Sequence, residues 1–540
     1  MNMSRPLTRH SGTLSATGGE GWGEGVRFMG KGIPGKAALL SLGGRRGRRI
    51  HRRDFLKHGA AALGLLSLHS PALRAADPPS SPFAQRGYYI TFMRMPTYGL
   101  AQWKQILDAI HADGGNLLLL WMGGAFRSKQ FPVTWKFNEA HENVRRDFTR
   151  ELIAHAHARG LKVLLAFTPF AYDGVNQYPL EHPELKAMGR DGKPVGKAGI
   201  FCWGWNLCPS QPEAQRFMLD YTREMFFEFY PAADGLMIEA SDYAICHCPG
   251  CGGRYFEKEF QFVRAISNEV WAKKRDSMIV VYPHYFSGAN VPGFGVTAAT
   301  QAFDPRWTLF FTPHSAHLDA KLIRQAKSSL WSDDAPALHD PAAIQHGAKR
   351  ARDAGVTGYV PSLEAFSFIA TEPEEDQRYL VGQRQVPLGF GWLKPDEQPY
   401  GELPMRVNRV AYREFSRQPD LPFDEFKRHL GRELFGDDAT PQAIDDALQL
   451  QHYFAHSRTW CQASPIVSPE RVRAMKRRGE LKTEKVADYK AAHDHLRQIA
   501  ERHRAATNTG RKELHRIAQW VLDQWAGNNA ELLAPPDSKP

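Results

Sequence analysis

At 540 residues with 42% apolar side chains, the chain exceeds one average domain and has ample material for a large core. Its formal charge of +11 invites a nucleic-acid partner, but residues 1–76 hold thirteen Lys/Arg against Glu20, Glu24 and Asp54, which leaves only +1 for residues 77–540. A nearly neutral body has no basic stripe for phosphates, so no nucleic-acid partner is expected.

The excess charge centres on His51-Arg52-Arg53-Asp54-Phe55-Leu56-Lys57, followed by a mild apolar run from Gly59 to Leu68 and by Ala72-Leu73-Arg74-Ala75-Ala76. Paired arginines, a short apolar stretch and a small-residue exit resemble a twin-arginine export signal, and the stretch is too short to span a bilayer. Residues 1–76 are therefore expected to be a leader, its Gly-rich first 45 residues either disordered or added by an upstream start codon. The expected location is the periplasm or the exterior, with the twin-arginine translocase as a transient partner and no membrane anchor.

From Gly87 onward, short β-branched or Leu-rich runs alternate with stretches of helical period, the pattern of parallel βα units. Strands are predicted at 88–93, 116–122, 162–167, 235–240, 278–283, 308–312, 328–332 and 357–362. Between them, sets such as Val144, Phe148, Leu152 and Ala156, or Phe256, Phe260, Val263 and Val270, place apolar stripes on helices. Ser210-Gln211-Pro212-Glu213 predicts a capping box at the third helix. Eight units predict an α/β fold, a (β/α)8 TIM barrel over 77–400, with a doubly wound open sheet as the rival. Beyond 400 only helical period remains, so 401–540 is expected to be an all-helical C-terminal domain.

Barrels of this kind carry their working residues where strands end. Arg94 follows the first strand, and Trp121 ends the second. Trp203 and Trp205 follow the third. The fourth runs Asp234-Gly-Leu-Met-Ile-Glu239, leading straight to a carboxylate, with Asp242 in the loop behind it. Partial burial there would raise the pKa of Glu239 and keep it protonated as a general acid. Tyr282, His284 and Tyr285 follow the fifth strand, and His314 and His317 the sixth. Trp331 and Asp333-Asp334 close the seventh, and Glu364 follows the eighth, with Phe366 and Trp392 beyond. Glycosidic cleavage needs two carboxyl groups on opposite faces of a sugar, and strands four and eight face each other across a barrel mouth. Glu364 is the first choice of base or nucleophile. Asp333 is the second, with helix capping as its other reading, and Asp242 would orient sugar or water. Aromatic residues at the strand ends would stack on sugar rings, although each has a core-packing alternative. Arg94 would meet a charged group of the substrate or pair with a barrel acid.

Five of the six cysteines fall in two loops: Cys202 and Cys208 after strand three, and Cys246, Cys248 and Cys251 after strand four. Three thiolates at this spacing with either Cys202 or Cys208 would make a structural zinc site, and disulfides are the rival in an oxidising compartment. No cofactor is expected for catalysis. Cys461 stands apart and is expected to be a buried free thiol.

Gly114-Gly115-Asn116, Leu207-Cys208-Pro209-Ser210, and Asp234-Gly235 leading to a strand-four acid and a Cys-x-Cys-x-x-Cys loop resemble barrels of the α-glucuronidase and β-hexosaminidase type of glycosidase. The helices after residue 400 are similar to the C-terminal helices of that type. The likeness spans about residues 87–440 and implies a barrel glycosidase with a carbohydrate substrate. The hexosaminidase type carries adjacent Asp-Glu at the end of strand four, whereas here Asp242 stands three residues after Glu239. An exported glycoside hydrolase is therefore expected. The alternatives are a non-catalytic carbohydrate-binding barrel, or a metal-dependent hydrolase using His284, His314 and His317.

Overall fold

The computed structural model describes residues 81–92, 98–137, 139, 142–172, 174–197, 204–241, 245–287, 290–291, 296–297, 301–312, 318–332, 340–363, 402–456 and 483–533. The export signal, the leader and Cys461 lie outside these residues.

Eight parallel strands form one closed sheet: β1 (Gln85–Thr91), β2 (Leu117–Trp121), β3 (Lys162–Phe167), β4 (Gly235–Ile238), β5 (Met278–Val281), β6 (Trp307–Phe311), β7 (Ser328–Trp331) and β8, which runs as Gly358–Tyr359 and resumes at Ser362–Leu363. Each pairs with the next in sequence, and β8 returns to β1 with Gln85 opposite Gly358 and Tyr89 opposite Ser362. That last ladder leaves the sheet without an edge and excludes the open-sheet rival. The fold is the expected (β/α)8 barrel.

Strands of a parallel barrel are covered on both faces, so they read as unbroken apolar runs. β2 is Leu-Leu-Leu-Leu-Trp and β6 Trp-Thr-Leu-Phe-Phe, with every residue buried. Across the interior, Tyr89 of β1 meets Phe310 of β6 edge to face, ring centroids 6.1 Å apart. Gly235 opens β4 because a Cβ there would fall 1.8 Å from the Met278 carbonyl oxygen of β5.

Outside the barrel, helix Leu100–Ala112 buries Trp103, Ile106, Leu107 and Ile110 at the three-and-four spacing of one face. It ends at Asp113, and Gly114 at φ +79° turns the chain toward β2. Helix Tyr255–Lys273 buries Phe256, Phe260, Val263 and Val270, the stripe visible in the sequence. The predicted capping box is not formed. Gln211 is the N-cap of helix Pro212–Arg223 and makes no side-chain cap bond. Ser210 Oγ turns instead to the sulfurs of Cys208 and Cys248, at 3.0 and 3.5 Å. The helices after β6 and β7, Ala320–Gln325 and Pro341–Asp353, are capped by Asp319 and Asp340. After β5 the described chain makes a single turn, His284–Ser287, and a small hairpin of Asn290–Val291 with Val296–Thr297.

Helices Glu402–Arg417, Phe423–Phe435, Pro441–His456, Thr483–Arg502 and Thr509–Leu533 follow. The first packs on Pro341–Asp353, sets Tyr412 at a tilt against Tyr359 of β8 with centroids 5.7 Å apart, and sends Arg409 and Arg413 to Asp113 at the end of Leu100–Ala112. A helix from beyond residue 400 therefore completes the outer ring of the barrel. No helix of the described residues is long and apolar enough to cross a membrane.

Candidate functional site

The apolar residues of β4 end at Ile238, and Glu239 emerges half-buried at the mouth. Its backbone N–H still donates to the Phe167 carbonyl of β3, at 3.0 Å, so the side chain springs from the last rung of the ladder. Thr168, one residue past β3, donates its hydroxyl to Glu239 Oε2 at 2.7 Å. Tyr282, one residue past β5, donates to Oε1 at 3.2 Å. Three adjacent strand ends thus aim one carboxyl and two hydroxyls at a single point, and Tyr282 packs between Phe310 and His284 at 5.4 and 5.6 Å. Sequence reasoning found Glu239 and Tyr282 but missed Thr168, since a hydroxyl after an apolar strand is too common to stand out.

A second acid, which sequence reasoning also missed, is bonded to the chain just past β4. Glu259, on helix Tyr255–Lys273, is fully buried. Its Oε1 accepts from the Tyr285 hydroxyl at 2.7 Å and from Ser241 N–H at 3.1 Å. Ser241 Oγ lies 2.5 Å from Glu259 Oε2 and 2.8 Å from the Pro169 carbonyl oxygen. Ser241 carries a single hydroxyl proton, which either acceptor can take. Burial pushes the Glu259 pKa up to about 7, against these hydrogen bonds, which favour the carboxylate. Glu259 thus clamps the backbone two residues beyond Glu239.

The aromatic candidates divide. Tyr285 is fully buried with its hydroxyl on Glu259, so its expected sugar contact gives way to a core role. Trp121 and Trp331 are each 3% exposed; Trp121 packs edge-on to Tyr172, and the Arg350 guanidinium lies 5.6 Å from the Trp331 ring. Trp205 ends a two-residue antiparallel pairing with Gly196–Lys197, and one face of its ring carries the Lys186 ammonium at 4.5 Å. His284 stacks on Phe256, its Nδ1 is buried without a hydrogen-bond partner among the described residues, and burial lowers its pKa to about 4. Arg94, Cys202, Trp203, Asp242, His314, His317, Asp333, Glu364, Phe366 and Trp392 lie outside the described residues.

Cys208, Cys246, Cys248 and Cys251 come together with their four sulfurs within 4.8 Å of one another. Among the described residues this is the one grouping of His, Cys, Asp or Glu able to hold a metal ion, and His284 is not part of it. The loop after β3 is joined to the loop after β4 here by His247 N–H donating to the Met188 carbonyl at 2.7 Å, while Cys208 and Leu207 N–H donate within the first loop, to Leu185 and Phe170, at 2.8 and 2.7 Å.

No protein-family model and no curated protein sequence matches the chain. Among solved structures it is similar to a GH138 enzyme targeting pectin rhamnogalacturonan II, with 13% identity and a TM-score of 0.45, over 84% of this chain and 58% of that one. The chain thus spans less than two thirds of that enzyme. It is also similar to the chitobiase of Flavobacterium johnsoniae, with 11% identity and a TM-score of 0.39, over 84% of this chain and 72% of that one. A third is an O-GlcNAc hydrolase variant of Thermobaculum terrenum, at 11% identity and a TM-score of 0.42, over 82% and 83% of the two chains.

Proposed function

We propose that the chain is an exported glycoside hydrolase that cleaves a poly- or oligosaccharide with two carboxyl groups. The observation that carries this reading is Glu239, half-exposed at the C-terminal end of β4 and held at each oxygen by a hydroxyl from a neighbouring strand end. Such cleavage requires one group to protonate the leaving oxygen while a second acts from the other face of the sugar. Glu239 is assigned the proton donor. Its described partners suit a group that changes protonation, because a hydroxyl donates to a carboxylate and, once turned, accepts from a carboxylic acid. Glu364 directly follows β8, which stands across the ring from β4, and is assigned the base or nucleophile. Asp333, after β7, is the second choice, and Asp242 is assigned to orient sugar or water. The paired arginines at 52 and 53 support twin-arginine export to the periplasm or the exterior.

The test is a panel of aryl glycosides and plant or algal polysaccharides against wild type and Glu239→Gln. Wild type should turn over at least one substrate. The nearly isosteric variant should lose about 10³-fold in kcat while still binding the sugar, the scale expected for a positioned acid. Wild-type turnover by the variant would remove Glu239 from the chemistry. Sugar binding by wild type without cleavage would leave the non-catalytic barrel.

A further inference from the structure

We propose that Cys208, Cys246, Cys248 and Cys251 form a tetrahedral zinc site that staples the loop after β3 to the loop after β4. The four sulfurs are unbonded to one another. Cys208 Sγ lies 3.5 Å from Cys246 Sγ, 3.5 Å from Cys248 Sγ and 3.7 Å from Cys251 Sγ. Four thiolates about 2.3 Å from a central zinc would stand roughly 3.8 Å apart, so the cluster is already close to the size of the ion's coordination shell. A disulfide would draw two sulfurs to about 2.05 Å and break up the tetrahedron.

The surroundings supply what thiolates need. Met188 N–H donates to Cys246 Sγ at 3.3 Å, Cys251 N–H approaches Cys248 Sγ at 3.4 Å, and the Ser210 hydroxyl faces two of the sulfurs. Cys248-Pro249-Gly250-Cys251 is a tight turn in which Cys251 and Gly252 N–H both donate to the Cys248 carbonyl, at 3.1 and 2.9 Å. Gly252 and Gly253, at φ +52° and +75°, let the chain leave it. Binding converts four thiols to thiolates, releases their protons and leaves the zinc-tetrathiolate centre with a net charge of about −2, which the amides and the hydroxyl offset. All four positions are filled by protein, the pattern of a structural rather than a catalytic zinc. Because the sulfurs flank Glu239 in sequence on both sides, the ion would fix the frame that carries it. The inference does not depend on the hydrolase reading.

Elemental analysis of the full chain, purified without chelator and dialysed, should find about one zinc per molecule, released when a mercurial blocks the thiols. Refolding with cobalt should give the strong visible absorption of a tetrahedral thiolate complex. Cys248→Ser, at the most accessible of the four positions, should weaken zinc binding roughly 100-fold or more even if the fold survives. Two results would overturn the proposal: peptide mapping that finds these cysteines joined as disulfides with no metal, or four free thiols that give no cobalt spectrum.

Discussion

Asp113, where helix Leu100–Ala112 hands the chain to β2, and Glu259, bonded to the chain just past β4 at the opposite end of the barrel, are both buried acids, yet they are held by different means. Asp113 receives Arg409 Nε at 2.6 Å and Arg413 Nη1 at 3.3 Å, while Arg417 donates to its carbonyl at 2.8 Å. A carboxylate at a helix C-terminus sits at the unfavourable end of the dipole, and these guanidiniums offset both charges. A small cleft lies there, lined by Arg86, Tyr359 and Tyr412, and it is occupied by structural ion pairing rather than chemistry. Among the described residues, by contrast, every hydrogen-bond partner of Glu259 is uncharged. Burial without a cationic partner raises its pKa to about 7. One end of the barrel holds its buried acid with ion pairs; the other holds Glu259 with hydroxyls and a backbone amide.

The largest expected effect that tests this contrast on stability is Asp113→Ala. It removes a shared carboxylate from Arg409 and Arg413, each only 15% exposed, while Arg413 keeps Glu414 and Glu433, so it should cost about 3 kcal/mol, read as a lower denaturant midpoint. Turnover per folded molecule should be unchanged. A loss below about 1 kcal/mol would show that this end is not held by its charges.

Glu259→Gln sharpens the comparison from the other side. Burial raises the folded-state pKa of Glu259 to about 7, above its usual 4.5. Below the lower value both states are protonated and the contribution is fully present; as pH rises through the window the unfolded chain ionises first, and stability falls until about pH 7. At about 1.4 kcal/mol per unit, wild type should lose roughly 2–3 kcal/mol relative to the glutamine variant across this window. Paired unfolding curves at several pH values measure it, and a difference flat with pH would mean that the acid is ionised in the fold.

The strands were legible because a closed parallel sheet demands unbroken apolar runs, and Glu239 was legible because it follows one directly. Glu259 was missed although a signal existed: it interrupts the apolar face made by Phe256, Phe260 and Val263, where an acid has no reason to sit unless it is bonded. The aromatic residues misled because a ring that packs on a core and a ring that packs on a sugar are the same side chain, as Tyr285 shows. Spacing collected three cysteines but left the fourth open between 202 and 208, since it carries no information on which side chain faces the next loop. Helical period beyond residue 400 announced helices without revealing that Glu402–Arg417 closes the ring, because periodicity marks an apolar face but not its partner.

The smallest expected effects are at the two hydroxyls on Glu239, and they discriminate most finely. Thr168→Val keeps the shape of a buried side chain and removes the donor to Oε2, while Tyr282→Phe removes the donor to Oε1. Each should lower kcat about tenfold with KM little changed, the scale of one hydrogen bond to a reacting carboxyl. Because both donors hold one carboxyl group, the double variant should lose less than the product of the single losses. The denaturation midpoint should move by less than about 1 kcal/mol in either single variant. Should Thr168→Val instead shift the midpoint as much as it slows turnover, Glu239 would be a buried structural acid like Asp113, and the functional difference between the two ends of the barrel would vanish.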